Sequence, residues 1–129
     1  MYNCGNSEEA KLIGNEMFKR NDYENAYKYY TIAIEMYENL KIKLNNDSLS
    51  TYYANRANVL FNQNKFKEVI EDCDKSISLN YLNVKSYYRK AKAFINLKEF
   101  GKAKETLEKC KLINIDYPEI DNLLKEISK

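Results

Sequence analysis

Three short triplets punctuate this chain: Asn21-Asp-Tyr23, Asn64-Lys-Phe66 and Lys98-Glu-Phe100. Each lies between two segments whose apolar residues recur at helical spacing. In each, the aromatic is followed three residues later by Ala26, Val69 or Ala103. Four residues further on come Tyr30, Cys73 and Leu107, and three more give Ala33, Ser76 and Cys110. Phe66 and Phe100 are 34 residues apart, whereas Tyr23 and Phe66 are 43 apart, so the first connection carries nine extra residues. A fixed period of this length calls for stacked copies of one helix–turn–helix unit, because a lone pair cannot bury its apolar face.

A second apolar set precedes each triplet. It is Ala10, Ile13, Gly14 and Met17 in the first unit, Tyr53, Ala57 and Leu60 in the second, and Tyr87, Ala91 and Phe94 in the third. The small residues Gly14, Ala57 and Ala91 let a neighbouring helix approach closely, with Ala26, Ala33 and Ala103 as their partners. The pattern predicts seven helices. The first runs from about Ser7 to Arg20, with Asn6 as N-cap and Glu9 three residues on, a capping box. The second starts near Tyr23, and its periodicity continues through Leu40 to Leu44 before Asn45-Asn-Asp-Ser48 breaks it. Others cover about 48–63, 66–79, 83–97 and 100–112. Pro118 suits the first turn of a last helix reaching Ile127. Its stripe of Ile120, Leu123, Leu124 and Ile127 should cover the open end of the stack.

Composition narrows the function. With 129 residues, 44% hydrophobic and 31% charged, the chain is one domain with a real core and much solvated surface. One Pro and three Gly leave little room for phosphate-binding loops. There is no histidine, the usual proton shuttle and commonest metal ligand. Cys4, Cys73 and Cys110 are widely spaced and read as free thiols in a reducing compartment, two of them in the core. No apolar run is long enough to cross a membrane, and the N-terminus lacks an apolar signal core. A cytoplasmic protein without cofactor or metal is expected. Acid pairs such as Glu8-Glu9 and Glu71-Asp72 fall on expected helix surfaces without a nucleophile beside them, so catalysis is not expected. The 12 tyrosines with interleaved basic residues could suggest stacking on single-stranded nucleic acid. However, Tyr30, Tyr53 and Tyr87 fall in packing columns, and a net charge of +2 is small for a phosphate tracker.

Lys85-Ser-Tyr-Tyr-Arg89 and Lys92 put three cations on one helical face, where they repel unless solvent or an anionic ligand compensates. On the first helix Lys11 and Asn15 are one turn apart. On the third helix Asn55 is followed by Asn58 and Asn62.

The 34-residue period and its small-residue columns resemble the tetratricopeptide repeat, over about residues 7–115. Ala10 stands where that family often has Trp, and the Pro that commonly ends a repeat is missing. The second unit departs most, with Val69 and Cys73 in two columns and Arg56 beside Ala57. The resemblance implies an all-α, right-handed solenoid of three repeats at about 7–40, 50–80 and 84–115. An extended connection at about 41–49 and a capping helix at about 117–128 complete a single domain. The motifs K-L-I-G-N at 11–15, N-R-A at 55–57 and K-S-Y-Y-R at 85–89 are similar to the carboxylate clamp of chaperone-binding members. That similarity implies that Lys11, Asn15, Asn55, Lys85 and Arg89 bind the C-terminal Glu-Glu-Val-Asp tail of seventy- and ninety-kilodalton heat-shock chaperones. Phe18 would be an apolar wall of the groove, and Asn58, Asn62 and Lys92 would flank it. The implied protein is a monomeric co-chaperone-like adaptor that binds neither nucleic acid nor membrane. A general repeat scaffold for another peptide is the alternative.

Overall fold

The computed structural model describes residues 5–40, 46–114 and 116–128. They form seven α-helices: α1 (Ser7–Lys19), α2 (Tyr23–Glu38), α3 (Asp47–Asn62), α4 (Phe66–Leu79), α5 (Val84–Asn96), α6 (Phe100–Ile113) and α7 (Pro118–Ile127). No strand occurs among the described residues, and none of the described helices is long and apolar enough to span a membrane. Packing follows chain order: α1 on α2, α3 on α4 and α5 on α6 within pairs, then α2 on α3 and α4 on α5 between pairs. α3 also meets α5, and α7 closes on α6.

The three triplets are three copies of one turn. Asn21, Asn64 and Lys98 take the left-handed conformation, with φ of 60°, 61° and 62°. In each, the next residue's N–H reaches back five positions: Asp22 to Met17 O (2.9 Å), Lys65 to Leu60 O (3.0 Å) and Glu99 to Phe94 O (2.9 Å). This is the Schellman closure, which satisfies carbonyls that a helix end leaves bare. Asn tolerates that conformation better than Lys does, so Lys98 carries a small local cost.

At its other end α1 is capped by Asn6, whose side chain accepts from Glu9 N–H at 2.9 Å. The return bond of the expected capping box lands one residue earlier, Gly5 N–H donating to Glu9 Oε2 at 2.8 Å. α2 stops at Glu38, short of the expected run to Leu44. Tyr37 is the last residue of its buried face, and Leu40, 48% exposed, offers no burial to extend it; positions 41–44 lie outside the described residues. α3 is already helical at Asp47, so positions 47–49 of the expected connection belong to it.

The small-residue columns are buried, as expected of close-packed helix faces. Ala26, Ala33, Ala57, Ala91 and Ala103 are fully buried, as are the free thiols Cys73 and Cys110; Cys4 lies outside the described residues. Gly14 has a stricter role, because a Cβ there would sit 2.7 Å from the Tyr30 ring. Pro118 starts α7, whose Ile120 is buried against the cluster of Tyr87, Ala91, Leu107 and Cys110. Leu123, Leu124 and Ile127 pack on the same cluster, so α7 does cover the end of the stack.

Two polar features tie the units together. Asp72, expected on the surface, is buried and grips Arg56 with both oxygens, at 2.8 and 2.9 Å. The Arg56 guanidinium also lies over the rings of Tyr27 and Tyr53 and donates to Thr31. The second feature joins α3, α4 and α5. Ser50, Ser76 and Ser86 are fully buried, with hydroxyl contacts of 2.9 Å (Ser50–Ser76) and 2.7 Å (Ser76–Ser86). Asn83 Nδ2 donates to the first two at 3.2 Å.

Candidate functional site

The helices that open each pair carry the polar residues singled out above, and α5 supplies most of the charge. Lys85, Arg89 and Lys92 line one pocket of about 240 Å3 together with Asn58, Phe61, Tyr88 and Tyr117. Their shared face follows from i, i+4, i+7 spacing. The apolar walls come from α3, from α5 itself and from the residue that caps α7. Tyr88 and Tyr117 meet edge to face at 6.0 Å.

Arg89 is the centre of this arrangement. Its Nη1 donates to the Ala54 carbonyl at 3.1 Å, next to Asn55 on α3. No carboxylate among the described residues pairs with it. Burial pulls the guanidinium below the usual arginine range, while Cys73, Tyr117 and Tyr30 pull it weakly back up. Arg89 is half-buried; a partly desolvated cation without a counter-charge is disfavoured, and an anion brought to it offsets that cost. Lys85 lies exposed at the pocket's edge.

α1 approaches through Asn15. The hydroxyl of buried Tyr30 donates to Asn15 Oδ1 at 2.5 Å, and the same tyrosine lies close enough to Arg89 to feel its charge. Burial pushes that phenol up to about 12, so it stays a neutral donor. With Oδ1 engaged, the Asn15 amide keeps its N–H groups as donors, the polarity a carboxylate needs. Gly14 makes the bond possible by leaving room for the Tyr30 ring.

Lys11 is differently placed. It is half-buried and pairs with Glu8 on its own helix, not with a pocket residue. Glu8 also accepts from the Tyr52 hydroxyl at 2.8 Å, and Lys11 followed by Tyr52 holds its carboxyl below the usual range. Asn55 is half-buried on α3, and Asn58 lines the pocket. Asn62 is exposed and donates to the Asn58 carbonyl within its own helix. Phe18 packs edge-on against Tyr23 at 5.5 Å and joins the Met17, Ala26 and Tyr30 cluster. The apolar walls of the pocket beside α5 are Phe61, Tyr88 and Tyr117.

Sequence reasoning missed those walls, the Tyr30 hydroxyl and the Glu8 partner. Phe61 could have been found three residues after Asn58 on the same face. Tyr117 gave no signal, since it precedes the last helix and belongs to no repeat column. Among the described residues no group of His, Cys, Asp or Glu could hold a metal ion.

The Tetratricopeptide repeat family model matches residues 50–81 and 84–114. The TPR2B domain of yeast Sti1, solved as a pHsp70 complex, superposes with a TM-score of 0.83 at 35% identity, covering 95% of each chain. The chain belongs to the tetratricopeptide repeat family. Membership makes the domain a non-enzymatic binding scaffold. It is 40% identical to the rat mitochondrial import receptor subunit TOM70 over 108 residues, 84% of this chain and 17% of that protein. It is 35% identical to the Hsp70/Hsp90 co-chaperone cns1 of Schizosaccharomyces pombe over 118 residues, 90% of this chain and 31% of that one. The chain therefore spans less than a third of these two relatives. The helix pair α1–α2, outside the family-model match, has the same turn as the two matched units, and its Ala26 is fully buried as Val69 and Ala103 are in theirs.

Proposed function

We propose that this tetratricopeptide domain is a co-chaperone-like adaptor for the acidic C-terminal tail of seventy- and ninety-kilodalton heat-shock chaperones. Lys11, Asn15, Asn55 and Lys85 hold the terminal carboxylate and the last Asp, and Arg89 serves the residues just upstream. The observation that carries this reading is Arg89, half-buried, donating to a backbone carbonyl and paired with no carboxylate among the described residues. Its match to a Sti1 domain solved as a pHsp70 complex and its similarity to an Hsp70/Hsp90 co-chaperone support the same reading.

A peptide ending in Asp brings two carboxylates close together, one terminal and one on the side chain. Ammonium groups neutralise them, and the Arg89 fork can donate twice where lysine cannot. Charge-assisted hydrogen bonds contribute about 1.5–3 kcal/mol each before ordering costs. With those costs included, micromolar affinity is expected, about −8 kcal/mol. Three repeat units at about 7–40, 50–80 and 84–115, with a cap at about 117–128, act as one monomeric domain in the cytoplasm.

Calorimetry with Met-Glu-Glu-Val-Asp and Ile-Glu-Glu-Val-Asp peptides tests the assignment. Micromolar binding that weakens with salt and is lost when the C-terminus is amidated is the expected result. A folded protein that binds neither peptide at low salt would sink it.

A further inference from the structure

The clamp cations use one face of α5, and the opposite face floors a second cavity. Phe94 follows Lys85 by nine residues, a rotation of about 180° at 3.6 residues per turn. With Tyr87 and Lys90 it lines a pocket of about 410 Å3 between Ile77 on α4 and the flank of α6. Tyr87 and Phe94 are buried, and the Tyr87 hydroxyl donates to the Tyr81 carbonyl at 2.9 Å, so this floor is apolar. Lys102, Glu105 and Lys109 run along the α6 side at i, i+3 and i+7. The ammonium groups of Lys90 and Lys102 each stand 5.9 Å from the centroid of the Phe94 ring. Three lysines and one glutamate thus face a cavity with an aromatic base.

Each lysine also meets an acid: Lys90 meets Asp74 at 2.6 Å, Lys102 meets Glu99 at 3.7 Å and Lys109 meets Glu105 at 3.3 Å. The last two pairs join neighbouring turns of α6, with every side chain at least 43% exposed. Such pairs add little stability and give way to a competing carboxylate. Lys102 and Lys109 are seven residues apart, a rise of about 10 Å at 1.5 Å per residue. In an extended peptide the side chains on one face recur every second residue, about 6.6 Å apart. Two acids four residues apart therefore stand about 13 Å apart with one side chain between them, and the flexible lysine stems bridge the difference. We propose that this cavity is a second peptide site, for an extended segment of a protein partner carrying an aromatic residue with Asp or Glu two positions to either side. The aromatic ring packs on Phe94 and Ile77, and the two carboxylates reach Lys102 and Lys109. The site works apart from the clamp, so one domain can hold a chaperone tail and a second partner on opposite faces of α5.

The probe is Asp-Thr-Trp-Thr-Asp, acetylated and amidated so that it has no free carboxyl terminus for the clamp. The protein has no tryptophan, so the emission of the peptide reports binding directly. Saturable binding at low salt is expected. Replacing both Asp by Asn, or Trp by Ala, should weaken it about fivefold or more. The double variant Lys102→Met, Lys109→Met should bind the parent peptide as weakly as the native protein binds the Asn version. Glu105→Gln removes the one acid that faces the cavity and should tighten binding about twofold, a change of opposite sign that loss of packing would not produce. These variants should melt with the native protein, and Arg89→Ala should leave the affinity unchanged. No saturable binding, equal affinity for the Asp and Asn peptides, or indifference to the loss of Lys102 and Lys109 would overturn the site. So would a loss of binding in Arg89→Ala, which would put the peptide in the clamp groove instead.

Discussion

Arg56 and Arg89 sit on the first helices of successive repeats, one column apart, and both are withdrawn from solvent. Their surroundings differ in one respect. Burial lowers the proton affinity of each, but the bidentate Asp72 more than offsets this at Arg56, whose guanidinium ends above the usual range. At Arg89 nothing comparable exists among the described residues, and burial wins. Arg56 is thus a finished structural pair bracketed by Tyr27 and Tyr53. Arg89 is a half-finished one, its other half expected from outside. A buried arginine alone says little. Whether its carboxylate comes with the fold separates structure from function.

The comparison can be broken most severely at Asp72. Replacing it by Ala leaves Arg56 half-buried and without its carboxylate, and breaking a pair whose acid is buried costs up to about 3–5 kcal/mol. Denaturant unfolding should show that loss, much of a small domain's total stability. The reciprocal experiment is Arg89→Ala. Here peptide affinity should fall by about 2–5 kcal/mol, while the unfolding midpoint stays near that of the native protein, because the loss is one hydrogen bond to the Ala54 carbonyl and no ion pair among the described residues. If Arg89→Ala destabilised the fold as Asp72→Ala does, the distinction would collapse.

Smaller changes sharpen the distinction. Tyr30→Phe keeps the ring against Gly14 and deletes the hydroxyl that fixes Asn15, so peptide binding should weaken by about 1 kcal/mol. In an Asn15→Ala background the same change should have no further effect on calorimetric affinity. At the low end is Glu8→Gln, which frees Lys11 from its own helix. An exposed pair of this kind contributes little, so peptide binding should tighten by only about two- to threefold. The folded pKa of Glu8 is depressed, so the pair contributes its stability above the unfolded carboxylate pKa. That contribution is lost as the pH falls through the folded value. Acid should therefore weaken the competition that Glu8 offers for Lys11, and a peptide titration across the carboxylate range in both proteins would register it.

Much of this was legible from spacing. The turn triplets, the alanine columns and the α5 cations are all matters of register, and a period of 34 exposes register directly. The end of α2 was not. Apolar periodicity continues past Tyr37, but a helix persists where its apolar residues find a surface to cover, and Leu40 finds none. The polar pairs were hidden for a related reason. Asp72 looks like a surface acid until α3 brings Arg56 to it, and Tyr30 looks like a packing ring until its hydroxyl is seen to end at Asn15. Lys11 sits in the right column, yet a carboxylate three residues earlier on the same helix already occupies it. Columns can be read along the chain; partners across the fold cannot.

The buried serines of α3, α4 and α5 join three helices through one chain of hydroxyl contacts. Apolar helix faces can slide past one another at small cost, but a chain of directional hydroxyl contacts through Ser50, Ser76 and Ser86 tolerates little displacement. The spacing of α3 and α5, which carry Asn55 and Arg89, is therefore held by these contacts. On the proposed reading, a peptide would meet a spacing already fixed, and most of the entropy of fitting would fall on the peptide.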